Sequence, residues 1–163
     1  MRYSAKKLTE TAFFCAGALA LHAVERVIPI PLPMPGARLG LANLFVLLAL
    51  YRHNLGAAIF VMLVKSLLGP WLGGSVVGVL YALSGSTLSL GVMVVARKLG
   101  FGTAGVSAMG GVAHQCGQLC CAAALLGSLQ VLWLFPWLLM LGTVSGFLLG
   151  ILAGVIQRTL GAR

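Results

Sequence analysis

Long apolar runs alternate with short polar or Gly/Pro-rich joints along the whole chain. The runs predict helices near 9–28, 39–52, 55–72, 74–96, 104–127 and 131–156. Most approach the roughly 20 apolar residues that a helix needs to cross a bilayer. The second run is short, which fits a tilted helix or one that begins inside the preceding loop. The fold class expected is all-α, an integral membrane bundle of six transmembrane helices forming a single domain over residues 1–163.

Composition strengthens that reading. Of 163 residues, 60% are hydrophobic and only 8% charged, with a mean hydropathy of +1.06. Soluble domains carry about a quarter charged residues. Collagen and disorder are excluded by the lack of a triplet repeat and by the hydrophobicity. The first apolar run follows Arg2, Lys6 and Lys7 as a signal peptide would. It continues to Ile28 without a clean cleavage site, so it is read as the first span.

Charge then sets orientation. The net charge is +9, but the basic residues stand singly or in pairs between apolar runs, without the stripe that nucleic acid requires. With the N-terminus in the cytoplasm, Arg2, Lys6, Lys7, Arg52, Arg97, Lys98, Arg158 and Arg163 lie inside, and only Arg26 and Arg38 outside. The positive-inside rule is satisfied with both termini cytoplasmic. The Pro29–Gly36 segment then becomes a stiff extracellular loop between the first two helices. It serves as a rigid connector or as a lid over an outward-facing pocket.

Small residues mark packing surfaces. Gly142, Gly146, Gly150 and Gly154 form a smooth stripe on the last helix that admits a neighbouring backbone. Ala12, Ala16 and Ala20 form a similar stripe on the first. It packs internally or docks a partner membrane protein.

Polar groups retained in apolar helices mark candidate chemistry, because lipid leaves them unsolvated. Arg38 stands at the mouth of the second helix, and Asn43 about one turn into it. Lys65 lies deep in the third helix, with Glu10 and Glu25 near the ends of the first and no obvious acidic partner. It either snorkels to the surface or faces inward and binds an anion. Tyr81 and Ser84 belong to a hydroxyl-rich stretch that satisfies its own backbone or lines a pocket wall. His114 and Gln118 are four apart and share a helix face, with Gln115 beside them. They bond to a neighbouring helix or to a ligand. Helix lengths bring these groups together beneath the Pro-rich loop, and the two cations favour an anionic small molecule.

Other chemistries are missing. There is no phosphate-binding Gly-rich loop with its Lys. There is no Asp and there are only two Glu, too few for a magnesium–diphosphate site or a Ser-His-Asp set. The cysteines, Cys15, Cys116, Cys120 and Cys121, lack zinc spacing. No enzyme activity, cofactor or metal is expected.

Three stretches are similar to a known family: residues 31–43 (PLPMPGARLGLAN), 81–93 (YALSGSTLSLGVM) and 105–118 (GVSAMGGVAHQCGQ). They resemble the bacterial membrane family called Gx transporter, also labelled heptaprenyl diphosphate synthase component I, over about residues 10–155. Gln115 stands where that family's pattern has Asn, and Lys65 where it has Arg. The family in turn looks like the substrate-binding S components of energy-coupling factor (ECF) transporters. That resemblance implies a multi-pass protein of the bacterial cytoplasmic membrane that binds a vitamin-like compound for uptake. Its first loop would cap the pocket. Ala12, Ala16 and Ala20 would dock an ECF coupling subunit served by two ATPases. The synthase label implies instead a non-catalytic accessory subunit in isoprenoid or quinone metabolism.

Overall fold

A computed structural model describes residues 5–27 and 38–161. Among them the structure is all-helical: α1 (Ala5–Val27), α2 (Asn43–Arg52), α3 (Leu55–Trp71), α4 (Val76–Lys98), α5 (Thr103–Leu126) and α6 (Phe135–Gly161). A 3-10 segment, Leu129–Leu134, leads into α6. The Pro29–Gly36 loop expected to act as a connector or lid falls outside the described residues.

Local chemistry sets the helix ends. The side chains of Asn54 and Ser75 accept from the backbone N–H of Ala57 and Gly78, capping α3 and α4. Such caps satisfy donors that the first helical turn leaves free. Gly127 closes α5 in the left-handed conformation, φ +60°, where a Cβ would be strained.

The second helix differs from its expected range. Instead of starting near residue 39, it starts at Asn43 and is 10 residues long. Gly40 takes φ +86°, which breaks helical geometry just before the start. Ten residues rise about 15 Å, half of a bilayer core. This short helix is apolar on nearly every side because it is buried on nearly every side. Val46, Leu47, Leu48, Ala49 and Leu50 sit in the centre of the core with Ala18, Ala58 and Val61. Two helical stretches, Val76–Lys98 and Leu129–Thr159, are long and apolar enough to cross a membrane.

The glycine stripe of α6 lies along α5. A Cβ on Gly146 would come within 2.5 Å of the Ser107 carbonyl oxygen, and one on Gly142 within 2.7 Å of the Gly111 carbonyl oxygen. Gly150 lies equally close to the Ala104 Cα. Real side chains do not fit at such separations, so the two backbones are in contact. Gly154 differs from the rest of the stripe, with nothing within 4 Å of its Cβ position. Here α5 has reached its first turn, and Gly154 opens onto a groove shared with Gly102 and Gly105.

Candidate functional site

The C-terminal ends of α1 and α3 meet the entrances to α2 and α4, and the middle of α5 closes the space between them. They enclose a cavity of about 10 Å³, room for about one water. His22 and Glu25 reach it from α1, Arg38 and Gly40 from the α2 entrance, Lys65 from α3, and His114 and Gln118 from α5. These groups are 80 or more residues apart in sequence at the extremes, so only the packed bundle assembles them.

Glu25 makes the most organised contacts. One carboxylate oxygen accepts from the backbone N–H of both Gly40 and Leu41, each at 2.8 Å. The residue flanking α2, Ala42, offers no side-chain cap, so a carboxylate from another helix takes that role. A negative charge there also faces the positive end of the α2 dipole. Two N–H donors on one oxygen, with Arg38 and Lys65 lining the same cavity, favour the carboxylate form of Glu25. The Gly40 conformation that places these donors also leaves no space for a Cβ, which would meet Asn43 and His114 at 2.9 and 3.0 Å.

Lys65 is 3% exposed, so it does not snorkel. Its ammonium donates to the Ser86 hydroxyl at 2.7 Å, and Ser66 bonds to the same oxygen at 3.1 Å. The expectation that Lys65 lacks an acidic neighbour is corrected here. Glu25 is near the end of α1, but that end turns into the bundle, and its carboxylate lines the same cavity as Lys65.

The α5 side chains hold Arg38. Gln118 Oε1 accepts the Arg38 backbone N–H at 3.1 Å, and Gln115 Nε2 donates to the Arg38 carbonyl at 3.2 Å. Both polar groups of one peptide residue are thus clamped to one helix. With Gln118 Oε1 engaged, its amide nitrogen faces His114 Nε2 at 2.8 Å. An amide nitrogen donates only, so Nε2 accepts and the ring proton is on Nδ1. The hydrogen-bond network therefore assigns His114 as a neutral ring. Gln115 and Gln118 position Arg38, while the Nδ1 proton of His114 is left without a partner.

Three of the residues lining the cavity keep unused hydrogen-bonding capacity. Among the described residues, His22 Nε2, Arg38 Nε and His114 Nδ1 are buried without a partner. An orphaned buried polar atom is costly. Arg38 also extends Nη1 toward the His22 carbonyl at 3.5 Å.

The remaining candidates do not line the cavity. Asn43 is buried beside Gly40 and His114. Tyr81 packs with Leu119, Ala122 and Leu138 in a separate apolar cluster. Ser84 donates to the Tyr81 carbonyl at 3.1 Å and borders an open groove with Leu83, Thr87 and Leu88. The α4 hydroxyl that faces the cavity side is Ser86, two residues on. Ala12, Ala16 and Ala20 are all exposed on α1. Among the described residues, no group of three His, Cys, Asp or Glu side chains is disposed to hold a metal.

His22 and Glu25 escaped the sequence reading. Their signal was present: both are polar, three apart, and so on one face of an apolar helix. Their place near the end of the run suggested solvent instead.

A family model described as heptaprenyl diphosphate synthase component I matches residues 14–156. The chain belongs to that family. The heptaprenyl diphosphate synthase component I match takes in every cavity residue from His22 to Gln118, whereas Ala12 of the exposed alanine stripe precedes it. No curated protein and no solved structure matches the chain.

Proposed function

We propose that this heptaprenyl diphosphate synthase component I family member is a multi-pass membrane subunit that binds a small anionic molecule. The observation that carries the proposal is the cavity itself. It holds two basic side chains, Arg38 and Lys65, beside groups with unfilled hydrogen-bonding capacity. Buried cations are retained where they meet a charge of opposite sign. Membrane embedding is supported by the outward-facing side chains. Phe13, Trp71, Leu72, Trp133 and Leu148 are each at least 60% exposed, an apolar exterior suited to lipid. In the six-span topology with cytoplasmic termini, the cavity opens outward, on the side of the Pro-rich loop.

In the first reading the protein is an S-component-like subunit of an ECF transporter, taking up its ligand with a coupling subunit and ATPases. The exposed small-residue face at Ala12, Ala16 and Ala20 supports it, because such a face lets another helix approach closely. The family's description favours a second reading, a non-catalytic accessory subunit of a prenyl diphosphate synthase. With two acidic residues in the chain, one capping α2 and the other paired with Arg52 and His53, a magnesium site would have to come from the partner.

Purification from the host membrane in mild detergent separates the two. Co-purified ATPases with a membrane coupling subunit support the transporter reading, and a co-purified prenyl diphosphate synthase supports the accessory one. Ala16→Trp is expected to disrupt the transporter complex while leaving ligand binding intact. A complex that survives Ala16→Trp excludes the α1 docking face.

A further inference from the structure

The cavity has a charge balance that narrows its ligand. Arg38 and Lys65 are the cations lining it, and Glu25 is the carboxylate. His114 is neutral by its hydrogen bond to Gln118, and His22, which shares the cavity with Arg38 and Lys65, counts as neutral because both cations oppose a further positive charge. Two positive charges against one negative leave a single positive charge in an enclosure with room for about one water. Arg26, at the same end of the bundle, is exposed and lies against Gly73, so solvent screens it. Residues 28–37, which join α1 to Arg38, include no ionisable side chain and leave the balance unchanged.

We infer that the site is matched to one negative charge, so that its ligand presents a compact monoanionic group such as a carboxylate rather than a diphosphate. The inference rests on the anion-binding reading above and deepens it. A monoanion neutralises the enclosure. A diphosphate brings additional charges that no buried group compensates, and uncompensated charge in a low-dielectric interior is strongly disfavoured. Glu25 therefore does two things. It organises the α2 entrance through Gly40 and Leu41, and it lowers the positive charge that the ligand meets. His22 Nε2 and Arg38 Nε supply the hydrogen bonds that orient the bound group.

The test compares two probes that share one apolar tail, geranate and geranyl diphosphate, on the full-length protein in detergent. Because the tail is common, the ratio of their dissociation constants reports the head group. The expected result is that geranate binds more tightly by about ten-fold or more. Glu25→Gln keeps an amide oxygen to accept from Gly40 and Leu41 but raises the site's charge by one, so the preference should shrink or reverse. Arg26→Gln should leave the ratio as in the wild type. Equal or tighter binding of the diphosphate by the wild type would overturn the inference while leaving the anion-binding reading standing. So would an unchanged ratio in Glu25→Gln. Should that variant fail to fold, the wild-type ratio decides alone. Binding of neither probe would overturn the anion-binding reading, and this inference with it.

Discussion

At the scale of single residues, the site depends on a few groups that satisfy one another. Lys65 and Glu25 line one cavity without a direct salt bridge between them among the described residues. Each nonetheless lowers the cost of burying the other. Lys65→Met should destabilise the protein by up to about 3 kcal/mol, because it leaves the buried Glu25 carboxylate with Arg38 as its one remaining cation in the cavity. Adding Glu25→Gln should recover part of that loss, and thermal melting of the two single variants and the double variant measures the coupling. Additive losses would show that the two side chains do not sense each other. The α5 amides act differently. Gln115→Ala with Gln118→Ala removes both anchors of the Arg38 peptide and should weaken anion binding about ten-fold, with helix content by circular dichroism unchanged. The sequence shows each of these side chains as polar residues in apolar runs. It does not show which are ligand-facing and which are supports. That division depends on hydrogen bonds across about 80 residues, such as Gln118 to Arg38, which no local pattern encodes.

At the scale of elements, close backbone contact explains the glycine content. The α5–α6 seam uses Gly111, Gly142, Gly146 and Gly150, and the α4–α5 seam uses Gly85 and Gly117. At the second seam a Cβ on Gly117 would come within 2.6 Å of the Ser84 carbonyl oxygen. The α5 helix is thus held on two sides at backbone distance, which fixes the rotation that aims His114, Gln115 and Gln118. Gly146→Leu should lower the melting temperature in detergent sharply, since it forces α5 and α6 apart. Gly154→Leu, facing open space, should change it little. Equal effects would mean that the stripe is not a packing seam. The long apolar runs made five helices legible to within a few residues, because length and hydrophobicity dominate there. The second helix was legible as an element but not in extent. Its start is set by the positive φ of Gly40 and by a carboxylate from α1, a contact invisible in local sequence. The Gly142–Gly154 spacing was equally visible, but the departure of Gly154 from the seam depends on where α5 begins.

At the scale of the whole molecule, the two ends of the bundle differ. At one end polar contacts tie α1, α2 and α4: Glu10 pairs with Arg52 at 3.4 Å and lies 3.2 Å from the His53 ring at the end of α2. Arg97 donates to the Leu50 carbonyl at 2.6 Å and covers the Tyr51 ring. At the other end lies the buried cavity. The basic side chains at the first end match the positive-inside orientation proposed for the chain. Cysteine substitutions at Arg26 and at Lys98 should therefore be labelled by a membrane-impermeant maleimide from opposite faces in intact cells and inverted vesicles. Labelling from the same face would contradict the topology. The central claim, that this family member carries a small anion in the cavity around Lys65, is tested most directly by native mass spectrometry. The protein would be released from its own host's membrane in mild detergent, alongside the Lys65→Met variant. The account predicts a bound anionic small molecule on the wild type that is lost from the variant. A wild type without any such molecule, or the same adduct at equal occupancy on both, would contradict it.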